Sequence, residues 1–165
     1  MTKQSRLPLF SLGLVSVYLI SIISIQIAAP DEVIEPDAFP EKCSYDSLNC
    51  SMIGPNTYRS GNLTELRLNS SLEDVMDEVR TWIDSQSGTS VIGDWSEQTH
   101  SVFRTLMFRF PDDFVVRGFC EDGETVLHVY SKSRLGVSDL GVNKARVQSF
   151  AEYMSNVEMA TSDCV

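Results

Sequence analysis

Six charged side chains in the stretch 103–150 are the residues of this chain best suited to chemistry: Arg109, Asp112, Asp113, Arg134, Asp139 and Arg146. Arg134, the Ser138 hydroxyl and the free N–H groups of a helix predicted to start at Asn143 could converge on a phosphate or a carboxylate. Lys144 and Arg146 would add positive potential there. The segment therefore permits an anion-binding or ligand-binding site made of Arg134, Ser138, Asp139, Asn143 and Arg146.

The same residues also have a purely structural interpretation, which we favour. Arg134 can pair with Asp112 or Asp113, and structural ion pairs of this kind resemble functional sites in a sequence. Asp139 and Asn143 can cap a turn and a helix. Neighbouring residues of a strand point to opposite faces, so Asp112 and Asp113 cannot readily share one acid–base task. In this interpretation a structural charge network consists of Arg109, Asp112 and Asp113.

Motifs of established enzyme classes are missing from the sequence. It contains no Gly-x-Ser-x-Gly elbow and no glycine-rich phosphate loop. The chain has only two histidines and no Cys-x-x-Cys pair, which argues against zinc. His100 and His128 fall on strands predicted to be neighbours and can be ordinary sheet residues, but a hydrolase that uses His128 and Asp112 is kept as an alternative. We predict no catalytic residue, no metal and no cofactor.

Hydrophobic periodicity predicts the elements that must position these residues. It favours strands over 63–68, 89–95, 99–105, 112–120 and 125–133, with a tight turn at Asp122-Gly123. One helix is predicted from an N-cap at Ser70, with Glu73 completing a capping box, to about residue 85. Its predicted buried stripe consists of Leu72, Val75, Met76, Val79 and Ile83. A second helix is predicted over 143–156, with Asn143 as its N-cap. The apolar run 106–110 is expected to be fully buried or bulged.

This order of elements, β-α-β-β-β-β-α, predicts an α+β domain with two helices packed on an antiparallel sheet of four to five strands. We expect the domain to occupy 43–157 and to be followed by a tail at 158–165. The net charge of -10 makes nucleic acid a poor partner, because its phosphates demand an excess of Lys and Arg.

The N-terminal part of the sequence predicts export. Lys3 and Arg6 precede an apolar run over 7–29, which is long enough for a transmembrane helix of about 20 residues. Four acidic residues follow within 31–37, so the charge asymmetry places the N-terminus in the cytosol. We favour an uncleaved anchor in segment 1–29 over a signal peptide cut near Ala28-Ala29, and we interpret 30–42 as an acidic linker.

Two further features agree with export. Asn49, Asn62 and Asn69 each begin a triplet of the N-glycosylation pattern. Four cysteines allow three disulfide pairings, among which the sequence does not choose. A Cys43–Cys50 bridge would close a short polar loop, and Cys120 with Cys164 would then pin the tail to the sheet.

Two segments, FRFPDD at 108–113 and HVYSKSRLGVSDLGVNKAR at 128–146, resemble the domain-of-unknown-function family 1499. Cys43 and the triplet Asn49-Cys50-Ser51 are similar to that family's opening Cys and Pro-Asn-Cys-Val-Ser-Ser. The likeness spans about 43–154. It departs at Leu48, Met52 and Pro111, where the family tends to have proline, serine and an aliphatic residue. The resemblance implies the fold and the disulfides, and it implies no activity.

These observations lead to an accessory or interaction domain that presents loop 134–142 to a protein partner and binds the membrane through residues 7–29. The alternative is a carrier for a small ligand, or for a lipid with an anionic headgroup, in an apolar pocket. We expect a membrane-anchored domain on the lumenal or extracellular side. Secretion after cleavage, or the lumen of a plastid or another organelle, is the alternative location.

Overall fold

The computed structural model describes residues 7–44 and 46–164, which form three α-helices and six strands. In chain order the elements are α1 (Leu7–Ala28), a 3-10 turn (Pro36–Ala38), β1 (Cys50–Ile53), β2 (Leu66–Leu68), α2 (Leu72–Ser85), β3 (Thr89–Asp94), β4 (Gln98–Arg104), β5 (Pro111–Glu121), β6 (Glu124–Ser133) and α3 (Val142–Asn156).

The strands form one antiparallel sheet, which confirms the predicted α+β fold. Its order is β1-β6-β5-β4-β3, and β2 also pairs with β6, so β1 and β2 follow one another along the same edge. The predicted tight turn joins β5 to β6 at Asp122 and Gly123. Four of the five predicted strands match within one or two residues. β1 was not predicted, because its four residues are all buried and show no alternation.

Helices α2 and α3 pack on one face of the sheet, which we call the helix face. The rings of Trp82, Phe114 and Phe150 meet there at centroid distances of 5.1–5.4 Å. Four of the five residues of the predicted stripe of α2 are buried: Val75, Met76, Val79 and Ile83. This aromatic and aliphatic cluster is the main core of the domain.

Two predicted helix caps are wrong by one or two positions. The N-cap of α2 is Ser71, whose hydroxyl accepts a hydrogen bond from the Asp74 N–H at 3.2 Å. The N-cap position of α3 is Gly141, with a φ of 86°, and Asn143 lies inside the first turn. Asp139 replaces the missing cap, because its carboxylate accepts from the N–H of Asn143 at 2.6 Å.

The outer face of the sheet, opposite the helices, is covered by the segment that was predicted to be a linker. Ile34 and Phe39 pack there on a second apolar cluster formed by Cys43, Cys50, Met52, Val115 and Tyr130. The 3-10 turn lies within this segment. Residues 30–42 are therefore part of the folded structure rather than a free spacer.

Two disulfides are present, Cys43–Cys50 and Cys120–Cys164. The cysteines of the first disulfide are seven residues apart in the sequence and lie beside the outer face. The cysteines of the second are forty-four residues apart, and this disulfide ties the tail to the end of β5. The tail also bonds the β5–β6 turn, since the Cys164 N–H donates to the Gly123 carbonyl at 2.9 Å.

The run 106–110 is neither buried nor a bulge within a strand. It forms the tip of the loop between β4 and β5, and Leu106 is 93% exposed there. Pro111 starts β5 opposite Arg104, a position that a proline can occupy because it need not donate to the ladder.

Candidate functional site

Two loops emerge from the same end of the sheet, and they flank the charged residues that the sequence singled out. The β4–β5 loop comprises 105–110 and the β6–α3 loop comprises 134–141. They share one end because Arg104 pairs with Pro111 and Asp112 pairs with Ser133 across the antiparallel ladder. The N-terminus of α3 lies at this end as well.

A cluster of five polar side chains sits on the outer face beneath these loops. Its members, which we call the outer-face cluster, are Asp31, His100, Arg104, Asp113 and Arg134. Arg134 donates from Nε and Nη2 to the Asp113 carboxylate at 3.0 and 2.6 Å. His100, which is fully buried, lies 2.8 Å from Asp113 through Nε2.

The partners of His100 define its protonation state. Nδ1 accepts a hydrogen bond from the Ile34 N–H at 3.0 Å, and a backbone N–H can only donate. Nδ1 is therefore unprotonated, and Nε2 carries the proton that it donates to Asp113. The imidazole thus links the segment after α1 to the centre of the sheet, which is a structural role.

Asp31 connects the cluster to the segment after α1. It accepts from Arg134 Nη1 at 2.7 Å and from Arg104 Nη2 at 2.8 Å. Arg134 Nη1 also donates to the Pro30 carbonyl at 2.7 Å. Arg104, at the end of β4, and Arg134, just after β6, therefore hold the first residues that follow α1.

The electrostatics of the cluster favour its charged form. Burial raises the pKa of the Asp113 carboxyl, but the hydrogen bonds from His100 and Arg134 outweigh burial, and the net pKa lies below its usual range. Burial lowers the pKa of the Arg134 guanidinium, and Asp113 and Asp31 reverse that effect. Burial, assisted by the charge of Asp113, raises the pKa of nearby Tyr130 to about 12.

Asp113→Asn is expected to destabilise the protein at neutral pH and much less in acid. At pH 7 the loss should be about 3 kcal/mol, because Arg134 loses its main partner in a largely buried pair. The folded-state pKa of Asp113 lies below the ordinary value of about 3.9, so its contribution is present above that pH and is lost as the pH falls through the folded pKa. Denaturant unfolding at several pH values measures the difference.

The matched control for this experiment is Asp77→Asn, which removes a carboxylate that is 68% exposed and pairs with Arg80 on α2. An exposed pair of this kind contributes little, so stability should change little at any pH. A loss in the Asp113 variant that stayed constant down to pH 2 would contradict the assignment.

A second polar cluster lies on the helix face and consists of Asp112, Ser131, Ser133, Asn143 and Arg146. Arg146 Nη2 contacts the Asp112 carboxylate at 2.9 Å, and the Ser133 hydroxyl donates to the same carboxylate. Asn143 donates to the Ser133 hydroxyl and accepts from Ser131 and Arg146. The Arg146 guanidinium also stacks over Phe103 at 4.4 Å. This helix-face cluster fixes the start of α3 to the ends of β5 and β6.

The residues proposed from the sequence as an anion site do not converge in the structure. Arg134 and Arg146 lie on opposite faces of the sheet, each on its own carboxylate. The N–H groups at the start of α3 bond to Asp139, and the Ser138 hydroxyl accepts from the Leu140 N–H at 3.4 Å. Each candidate group is thus satisfied from within the protein.

Arg109 is also apart from the carboxylates with which it was grouped. It lies in the β4–β5 loop with a φ of 59° and forms no ion pair with any residue in the described ranges. Asp112 and Asp113 do point to opposite faces, as the strand alternation predicted.

The pair considered for hydrolysis, His128 and Asp112, is not assembled, and the two histidines are not on neighbouring strands. His100 and His128 are on β4 and β6, which β5 separates. Asp112 pairs with Ser133 on β6, and His128 is five residues before Ser133 on the same strand. His128 is therefore about 17 Å from Asp112 along the ladder. Burial and the charge of Arg117 lower the pKa of His128. Across 7–44 and 46–164, no group of three or more His, Cys, Asp or Glu side chains could hold a metal ion.

A cavity of about 340 Å³ lies between the two loops, a position that the sequence analysis did not predict for an apolar pocket. Its apolar wall is formed by Phe110, Leu135, Leu140 and Val142. The polar side chains in the wall include Asp112 and Asp139, whose carboxylates are already hydrogen-bonded to the protein. The volume falls in the range of about 300–1,000 Å³ that is common for small-ligand pockets.

Helix α1 lies against the β4–β5 loop rather than apart from the domain. The Tyr18 hydroxyl donates to the Met107 carbonyl at 2.6 Å, and Gln26 Nε2 donates to the Arg109 carbonyl at 2.8 Å. The rings of Tyr18 and Phe108 are 6.1 Å apart. By length and composition, the segment Ser11–Ala28 of α1 could cross a membrane, and it is not buried in the protein.

Comparison with known proteins identifies a family but no annotated relative. A family model described as "Protein of unknown function (DUF1499)" matches residues 26–154, from the end of α1 to the end of α3. No curated protein matches the chain, and neither does any solved structure.

Proposed function

Because the chain belongs to the DUF1499 family, whose description names no activity, we propose its function from geometry: a membrane-anchored, non-enzymatic accessory domain held on the lumenal or extracellular side. Such a domain works by binding at the membrane surface. Its N-terminal helix remains attached and acts as the anchor.

The observation that carries this proposal is the tight connection between α1 and the sheet. Ala29 is only 7% exposed, and the next two residues are held by Arg134 and Arg104 in the outer-face cluster. Tyr18 and Gln26 add hydrogen bonds from α1 itself to the β4–β5 loop. A cut at Ala28-Ala29 would remove both of these side chains, so the packing supports an uncleaved anchor over a removed signal peptide.

Charge and cysteine chemistry support the side of the membrane. Lys3 and Arg6 precede α1, whereas Asp31 and Glu32 follow it, which is the distribution of a helix with its N-terminus in the cytosol. All four cysteines are paired in disulfides, which persist in oxidising compartments. Both features favour a domain that has left the cytosol.

The state of the charged clusters supports a binding role over catalysis. Asp113, Arg134, Asp112 and Arg146 all engage one another across short distances. A general acid or base must exchange a proton with a substrate. The carboxylates of these clusters already accept hydrogen bonds from charged arginines, which makes them weaker proton acceptors. These clusters are better suited to holding the two loops and the anchor in fixed positions.

Expression of the full chain through an oxidising secretory route tests this proposal. We expect the protein in the membrane pellet after alkaline carbonate extraction, with its N-terminal residues intact by mass. We also expect glycans at the exposed Asn62 and Asn69, so that Asn62→Gln with Asn69→Gln abolishes the mass lost on deglycosylation.

Asn49→Gln is the matched control, because the Asn49 amide is buried and donates to the Gly136 carbonyl at 2.6 Å. It should leave the glycan mass unchanged. A soluble chain beginning near residue 30 would overturn the anchor, and an unglycosylated chain with free thiols would overturn the compartment.

A further inference from the structure

The exposed apolar side chains of this domain are concentrated at the end that carries α1. Among the described residues outside α1, ten large apolar side chains are exposed, and all but Val33 and Val91 lie in the two loops or directly beside them. Leu106 and Met107 of the β4–β5 loop are 93% and 65% exposed, and Val137 and Leu140 of the β6–α3 loop are 88% and 96% exposed. An exposed apolar patch of this kind marks a surface that contacts a protein or a membrane.

The position of the β4–β5 loop along α1 indicates that the apolar surroundings of the patch are the hydrocarbon of a bilayer. Tyr18, which bonds to Met107, is ten residues before Ala28, or about 15 Å along the helix axis. A bilayer has a hydrocarbon core about 30 Å thick. If α1 spans the membrane, as in the proposed function on which this inference rests, the loop tip lies within the hydrocarbon of the outer leaflet.

Several backbone groups of the β4–β5 loop are hydrogen-bonded within the protein, which matters because unpaired polar groups are costly in lipid. The N–H groups of Arg109 and Phe110 donate to the Thr105 carbonyl and hydroxyl, at 3.0 Å each. The carbonyls of Met107 and Arg109 accept from Tyr18 and Gln26 of α1. The anchor therefore supplies two of the hydrogen bonds that a loop in lipid needs.

The charges at this end are compatible with lipid as well. The β4–β5 loop contains no acidic residue, and its one cation, Arg109, reaches back with its guanidinium to the Gly88 turn. The one acid of the β6–α3 loop, Asp139, has a side chain only 3% exposed. Among the residues of these two loops, therefore, no exposed carboxylate opposes contact with lipid.

We propose that the cavity between the β4–β5 and β6–α3 loops binds one acyl chain of a membrane lipid from the outer leaflet. The apolar wall of Phe110, Leu135, Leu140 and Val142 suits a hydrocarbon chain. Arg134 and Arg146 are occupied by Asp113 and Asp112, so the site recognises the chain and not an anionic headgroup. The acidic β5–β6 turn is about 35 Å away, at the other end of eleven-residue β5.

Photocrosslinking of the full-length protein in phosphatidylcholine vesicles tests this site. The probe is phosphatidylcholine that carries a diazirine midway along one acyl chain. We expect adducts in the peptides of α1, of the β4–β5 loop and of the β6–α3 loop. Val142→Phe narrows the cavity and should lower the adducts on the β6–α3 loop at least three-fold while the α1 adducts stay constant.

Val137→Phe is the matched control, because Val137 is in the same loop, is 88% exposed and does not line the cavity. It should leave the adduct pattern unchanged, and thermal unfolding of both variants excludes a folding defect. Adducts on α1 alone would contradict the acyl-chain site but would agree with the anchor. The β6–α3 loop would then be a candidate surface for a protein partner. A protein without adducts on α1 would overturn the anchor and this inference together.

Discussion

Arg146→Met is expected to lower the free energy of unfolding by about 4 kcal/mol, because it leaves a buried carboxylate without its cation. The side chain of Asp112 is only 3% exposed, and its contact with Arg146 is 2.9 Å. Methionine keeps the length of the arginine stem but removes the guanidinium, so the loss includes its contact with Phe103 and its hydrogen bonds to Ser131 and Asn143. Denaturant unfolding of the full chain in detergent, with linear extrapolation, measures the effect.

Two further variants separate the ion pair from helix packing. Lys144→Met, on the same helix, should change stability by less than about 0.5 kcal/mol, which is typical of a substitution outside such networks. Asp112→Asn combined with Arg146→Met should cost less than the sum of the single changes, because both charges are then removed together. Additive losses, or a stable Arg146→Met protein, would show that the helix-face cluster does not hold α3.

Replacement of both Cys120 and Cys164 by serine is expected to destabilise the protein by about 4 kcal/mol. The bridge closes a separation of forty-four residues, and the loop-closure entropy returned to the unfolded chain corresponds to this amount. The tail should then be released from the distal end of the sheet, where Ser70 donates to the Ala160 carbonyl at 2.8 Å. Unfolding in oxidising buffer, with limited proteolysis of the tail, measures both effects.

Wild-type protein in reducing buffer provides the comparison for the double serine variant. It should lose at least as much stability, because both disulfides are then opened. If the variant unfolded at the wild-type denaturant concentration, the bridge would add nothing beyond the hydrogen bonds that already hold the tail.

Local patterns in the sequence predicted most of the fold. The stripe of α2 and the Asp122-Gly123 turn follow from interactions within a few residues, and both are confirmed. The errors at the helix starts arise because serines 70 and 71 are adjacent cap formers and Asp139 reaches α3 from outside the helix. Which of the two serines caps α2 depends on their other contacts, because the Ser70 hydroxyl donates to the Ala160 carbonyl of the tail and Ser71 is left to cap the helix.

The candidate site was less predictable because it depends on contacts between distant residues. The charged residues were found, but their partners Asp31 and His100 came from parts of the sequence judged to be linker and ordinary strand. The run 106–110 was expected to be fully buried or bulged because it is apolar, whereas it forms an exposed loop next to an apolar helix. Composition alone cannot distinguish an apolar segment in a protein core from one exposed at the tip of a loop.

The outer-face cluster also determines when the domain can finish folding. Asp31 and Arg134 are 103 residues apart, and Ile34 and His100 are 66 apart, so these contacts have a high contact order and form late. If α1 is the anchor proposed above, residues 30–39 are translocated early and remain without these partners until β4 and β6 have followed. A chain that stalls before Arg134 would then present an open sheet face directly beside α1.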